Sequence, residues 1–197
     1  MSEMDQSLIG AIRHEFGFDA NRMLRQIAER LRQCGVVLAG AVQDSATAEG
    51  DCCASMELID VRTERVARIS QDLGRHAQGC RLDQRGLADA AESISRAIAA
   101  GVDLVIINKF GKAESEGDGL TCCFAEAVAA GTPVLTSVRA PYIDTWEAFH
   151  GGMAIELPPS PDAVLRWCGS VTGADLMRVA RSASAPGEGG RGLRAIS

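Results

Sequence analysis

The chain of 197 residues has only two lysines, Lys109 and Lys112, and both fall in the five-residue run Asn108-Lys109-Phe110-Gly111-Lys112. Its other 18 Lys/Arg positions are all arginine, so general surface positivity is supplied by guanidinium groups. A pair of compact, flexible ammonium donors set apart in this way suits the holding of a small anion. Gly111 between them allows a sharp turn or a close backbone approach to a ligand. Glu114 and Glu116 follow within one helical turn. The competing reading is a solvated loop whose lysines are incidental.

The run lies directly after Asp103–Ile107, the most hydrophobic strand of the chain, whose apolar stretch stops at Asn108. Elsewhere strands and helices alternate. Leu8–Ile12 reads as a strand and Ala20–Arg32 as a helix, with apolar residues at Met23, Leu24, Ile27, Ala28 and Leu31. Asp19 is its expected N-cap and Gly35 its stop signal. Val36–Val42 is a near-continuous apolar strand, as in a parallel sheet covered on both faces. Residues 54–70 read as a β-hairpin turning at Arg62–Arg65. An irregular stretch over 72–84 precedes a helix over Gln84–Ala100, and a further helix spans Leu120–Ala130. Pro133–Val138 and Met153–Leu157 complete the strands, with a helical turn at Thr145–Phe149 and a last helix at Pro161–Trp167. The reading is α/β: a three-layer domain over residues 1–171, with a mostly parallel central sheet, an inserted hairpin, and a flexible tail over 172–197.

Open α/β sheets bind ligands beyond the carboxyl ends of their strands. The loops after Ile12, Val42, Ile107 and Val138 are therefore expected on one rim. That rim would gather His14, Gly17, Asp19 and Asn21, then Gln43 and Asp44, then Asn108, Lys109, Gly111, Lys112 and Glu114, and finally Arg139. Tyr142 and Trp146 offer rings for stacking, or else anchor the last helices against the sheet.

A formal charge of −6 argues against a general nucleic-acid binder, which needs a clustered basic surface. No run approaches the roughly 20 apolar residues of a membrane span, and the N-terminal residues lack a signal peptide's pattern, so a cytoplasmic location is expected. Seven cysteines form an odd set without CxxC spacing and read as free thiols in a reducing compartment. Cys52-Cys53 and Cys122-Cys123, if on strands, would point to opposite faces, and no metal site is expected. His14, His76 and His150 share no ligand spacing. A homodimer would account for exposed apolar and cysteine residues.

Asp103–Glu114, DLVIINKFGKAE, resembles the second nucleotide-binding motif of the thermophile-type nucleoside-triphosphatase family, in which a buried strand ends in an Asp-Glu pair followed by a Gly-Lys-x-Glu turn. The order of VVLAGAVQ at 36–43, ISQDLG at 69–74, GCRLD at 79–83, NKFGKAESEGDGL at 108–120 and TPVLTSV at 132–138 is closer still to bacterial family 2478 of the domain-of-unknown-function series. This resemblance covers residues 8–168 and implies a P-loop NTPase-like fold without a settled activity.

The departures bear on chemistry. A phosphate loop needs a lysine to reach the outer phosphates and a hydroxyl to hold magnesium. The stretch matching that loop, Gly10–Asn21, has neither the lysine nor the glycine spacing. Where the triphosphatase motif has its metal-orienting Asp and water-activating Glu, this chain has Asn108 and Lys109. Magnesium-dependent phosphoryl transfer depends on such groups. Three readings follow: a sensor or accessory factor binding a nucleotide or another phosphate-like anion with little hydrolysis; a molybdate or tungstate oxyanion binder; and a weak nucleoside-triphosphatase using Glu114 or Glu116.

Overall fold

The structure is a computed structural model and describes residues 7–44, 56–70 and 83–176. Its strands are β1 (Ile9–His14), β2 (Leu38–Gln43), β3 (Glu57–Asp60), β4 (Val66–Arg68), β5 (Leu104–Ile107), β6 (Val134–Arg139) and β7 (Ala154–Leu157). The helices are α1 (Ala20–Gln33), α2 (Gln84–Ala99), α3 (Lys112–Ser115), α4 (Thr121–Ala129), α5 (Ile143–His150) and α6 (Pro161–Thr172), with a 3₁₀ turn at Ala140–Tyr142.

The strands form one seven-stranded sheet in the order β4-β3-β2-β5-β6-β1-β7. Parallel pairing joins β2 to β5, β5 to β6, β6 to β1 and β1 to β7, while β3 and β4 run antiparallel as a hairpin at one edge. In that hairpin Asp60 Oδ1 accepts from the main-chain N–H of Arg62 at 2.9 Å and Thr63 at 2.8 Å, a side-chain-built turn at the expected position.

Alternation along the strands sorts the core into two clusters. Val105, Ile107, Ala39, Ala41, Val134 and Val138 face α2, α4 and α5, whereas Leu104, Ile106, Leu38, Leu135 and Ile12 face α1 and α6. The α1 stripe Met23, Leu24, Ile27, Ala28 and Leu31 is buried as its spacing predicts. The expected three-layer α/β arrangement with an inserted hairpin is therefore present.

Two contacts fix the register beneath the site. Asp103 Oδ2 accepts from Val37 N–H at 2.7 Å while Asp103 N–H donates to Val37 O at 2.8 Å, pinning the start of β5 to β2. Higher up, Gly40 has φ +128°, and a Cβ there would lie 1.9 Å from Ile106 O, so only glycine lets the two strands approach.

Several boundaries differ from the sequence reading. β1 runs on to His14, because main-chain pairing with Val138 and Arg139 continues past the last apolar residue. The helix expected over Leu120–Ala130 begins at Thr121 and is preceded by the short α3. α6 extends to Thr172, Gly173 follows it, and Leu176 is buried in the α1/α6 layer. The irregular stretch over 72–82, Cys52-Cys53 and most of the expected tail lie outside the described residues.

Candidate functional site

The carboxyl ends of β1, β2, β5 and β6 open on one cleft of about 530 Å³. Gly17 and Asp19 line it from the β1–α1 loop, Asn21 from the first turn of α1, Gln43 from the end of β2, Asn108, Lys109, Gly111, Lys112 and Glu114 from the segment after β5, and Arg139 from the end of β6. Eleven of the twelve rim residues expected from the sequence, His14 included, thus line the cleft. Asp44 is not among them: its carboxylate turns to the outer face and pairs with Arg25 at 2.9 Å. The step from Gln43 to Asp44 reverses side-chain direction, as strand geometry requires.

Lys109 reaches across the sheet end and donates from Nζ to Gln43 Oε1 at 3.1 Å. Its neighbour Asn108 is 5% exposed; its main-chain oxygen accepts from Ser137 Oγ at 2.9 Å, which ties β5 to β6. Asn108 Oδ1 is buried with no hydrogen-bond partner among the described residues. Such a group carries a desolvation cost of about 1–3 kcal/mol that a bound donor would relieve. Lys112 is exposed, and its ammonium stands 3.9 Å from Glu116 on the next helical turn. An exposed pair of this kind contributes little, so Lys112 can exchange it for a ligand.

Glu114 closes the segment. Its Oε2 accepts from Gly111 N–H at 3.1 Å and its Oε1 from Leu120 N–H at 3.2 Å, so one carboxylate clasps both ends of the 111–120 loop. Gly119 lies beneath it with φ +68°, and a Cβ there would come within 2.2 Å of Glu114 Oε1. The clasp explains a glycine at 119 on two grounds, conformation and space.

The β1–α1 loop takes the place of a phosphate loop but is built differently. Asp19 caps α1, its Oδ1 accepting from Arg22 N–H at 2.9 Å. Ala20 N–H donates to Phe18 O at 3.1 Å and Met23 N–H to Asp19 O at 3.2 Å. Two of the first-turn donors that a sequence reading would offer to an anion, the N–H groups of Ala20 and Arg22, are therefore already engaged. Positive charge in the cleft comes instead from the side chains of Lys109, Lys112 and Arg139.

A P-loop NTPase-like fold implies magnesium, and the donors here do not suit it. The strand-end positions carry an amide and an ammonium, both oxygens of Glu114 hold main-chain donors, and Asp19 is a helix cap. Among the described residues no three His, Cys, Asp or Glu side chains cluster as a metal site.

Of the rings, Tyr142 lines the cleft, while Trp146 is buried in a cluster with Phe110, Phe124 and Phe149 and serves as the anchor. Phe16, not singled out from sequence, stands 82% exposed at the cleft. His14 also lines the cleft, whereas His150 Nδ1 lies 3.1 Å from Gly152 N and 3.3 Å from Ala154 N and closes the end of α5. Cys122 and Cys123 lie on α4 rather than on a strand, with sulfurs 4.0 Å apart. Burial, then the neighbouring Cys122, pushes the Cys123 thiol far above its ordinary value, and burial pushes Cys168 up to about 12. Both are inert packing groups at neutral pH.

Residues 9–167 match the model of a family described as "Protein of unknown function (DUF2478)". The chain belongs to DUF2478. Outside that description, this DUF2478 chain is 37% identical over 166 residues to the molybdenum import ATP-binding protein ModC 2 of Bradyrhizobium diazoefficiens. The match takes in 84% of the chain but 18% of the length of that relative. In three dimensions it resembles the crystal structure of THEP1 from Aquifex aeolicus, with a TM-score of 0.52 and 14% identity over 80% of this chain and 95% of THEP1. The chain shares the fold of that structure.

No helix among the described residues is long and apolar enough to cross a membrane.

Proposed function

We propose that this DUF2478 chain binds a phosphate-bearing ligand, a nucleotide before others, in the cleft at the carboxyl ends of β1, β2, β5 and β6, without magnesium and with little turnover. It acts as a sensor or accessory factor. The observation that carries the reading is the exchange of charge at the end of β5: Asn108 and Lys109 stand where a triphosphatase motif has acids, and the chain's two lysines and Arg139 share one cleft. That exchange favours an anion held by side-chain cations over one bridged by a metal.

Isothermal titration with ATP, GTP, phosphate and molybdate tests it. A Lys109→Ala, Lys112→Ala double variant should lose roughly ten- to hundredfold in affinity per charged hydrogen bond removed, from about 1.5–3 kcal/mol each. No binding of any anion by the wild type, or affinity unchanged in the double variant, would sink the proposal.

A molybdate or tungstate binder is the second reading, favoured by the likeness to ModC 2, which as a whole protein is named for molybdenum import. Lysine and arginine donors suit a tetrahedral oxyanion. Elemental analysis of the purified protein separates the two, molybdenum or tungsten in stoichiometric amount favouring the second. Hydrolysis through Glu114 has less support, because its carboxylate is the clasp of the loop. A phosphate-release assay across nucleoside triphosphates should give a rate no different from that of Lys109→Ala.

A further inference from the structure

We infer that the ligand carries a planar ring besides its anionic group and that Phe16 is the platform on which the ring stacks. The inference rests on the anion-binding reading of the same cleft. Phe16 is 82% exposed, whereas Phe110 and Phe124 are each 1% exposed. Isolated exposed apolar side chains are common, but this one stands on the wall of the cleft. The Arg139 guanidinium lies 5.7 Å from the Phe16 ring centroid, so the phenyl group has a cationic neighbour and still keeps most of its surface open.

Size and lining agree with a ring. The cleft of about 530 Å³ falls within the roughly 300–1,000 Å³ of sites for drug-sized ligands, and a bare tetrahedral oxyanion would leave most of it unfilled. Phe18, Met56, Phe110, Leu120 and Tyr142 contribute further apolar or aromatic lining. An apolar wall gives nothing to a bare oxyanion and favours a flat heterocycle.

The geometry also spaces the two functions. Phe16 follows β1, and Lys109 follows β5, with β6 between those strands. The strand ends that carry them stand two spacings of about 4.8 Å apart, and the Lys109 ammonium leans one strand further, to Gln43 at the end of β2. Only a ligand longer than a bare oxyanion touches both. The ligand class is a nucleoside phosphate, its base toward Phe16 and its phosphate toward Lys109 and Lys112.

The experiment is titration of the full chain with inorganic phosphate, AMP, GMP, CMP and UMP, using the wild type, Phe16→Ala and Phe16→Tyr, with circular dichroism as a check on folding. The wild type should bind at least one nucleoside monophosphate more tightly than phosphate. Phe16→Ala should weaken that monophosphate about 5- to 150-fold, the range for base–aromatic stacking, and leave phosphate unchanged. Phe16→Tyr should retain the affinity, since the ring is kept. Equal binding of phosphate and every monophosphate, or a monophosphate affinity that Phe16→Ala does not change, overturns the role of Phe16 while leaving the anion site intact. Absence of binding by phosphate and by all four nucleotides overturns both.

Discussion

Replacing Glu114 with alanine removes the acceptor of two main-chain donors at once, Gly111 N–H at 3.1 Å and Leu120 N–H at 3.2 Å. Hydrogen bonds to a charged acceptor contribute about 1.5–3 kcal/mol each. Gly111 and Leu120 are both buried, so water replaces the carboxylate poorly, although the half-buried Glu114 itself was partly solvated. A net loss of about 2–4 kcal/mol is expected. Glu114→Gln keeps the shape but offers a single amide oxygen, so one N–H then meets an N–H₂ donor and about half the loss remains. Glu116→Ala, which removes only the exposed 3.9 Å contact with Lys112, should stay within about 0.5 kcal/mol of the wild type. Urea unfolding gives the three values, and at roughly 2–4 °C per kcal/mol the Glu114→Ala midpoint should fall by about 4–16 °C. Amide exchange at Leu120 should accelerate in parallel. A Glu114→Ala protein within about 0.5 kcal/mol of the wild type, or one no worse than Glu116→Ala, would refute the clasp.

Gly119→Ala should cost about as much as Glu114→Ala, and in the Glu114→Ala background the left-handed strain of about 1–2 kcal/mol should remain beside a 3.1 Å approach to Ala113 Cβ, as a double-mutant cycle would read. Asp19→Ala should lower stability by about 0.5–2 kcal/mol through the lost helix cap. The same change should tighten anion binding roughly twofold, from about 0.5 kcal/mol of relieved repulsion at ~8 Å in water, measured by titration beside the wild type. Iodoacetamide followed by peptide mapping should label Cys122 in the native protein and spare Cys123 and Cys168 until urea is added. Because the folded Cys168 value is raised from 9.0 to about 12, its contribution to stability is fully present below pH 9 and lost as the pH climbs toward 12. Urea midpoints of wild type and Cys168→Ala at pH 8 and pH 10.5 should show the smaller decline in the variant.

The strands and long helices were legible because period and composition act locally. Val36–Val42 and Asp103–Ile107 are apolar throughout, α1 shows its stripe, and Arg62–Arg65 sits where the hairpin turns. The rim was legible for a second reason: once four strands are parallel, the residues after them must share an edge. What escaped the sequence depends on partners far along the chain. Four residues, Lys112–Ser115, have no periodic signal of their own, and α3 is held by the reach of Glu114 to Gly111 and Leu120. Trp146 could not be told from a cleft residue until Phe110, Phe124 and Phe149 were assembled around it. Phe16 gave no signal because an apolar residue in a short loop is as often covered as open. The closed N-terminus of α1 had one signal, Asp19, whose capping role and whose repulsion of an anion were both readable from its type.

The aromatic cluster gives the protein a built-in optical probe. Phe110, the residue between Lys109 and Gly111, packs edge-on against Trp146 with ring centroids 5.1 Å apart. Any displacement of the loop on ligand uptake therefore alters the surroundings of an indole fluorophore. The second indole, Trp167, lies on the opposite layer beside Gly10 and Leu157 and provides an internal reference signal. With Trp167→Phe, emission reports on Trp146 alone, and occupancy of the cleft becomes visible without any attached dye.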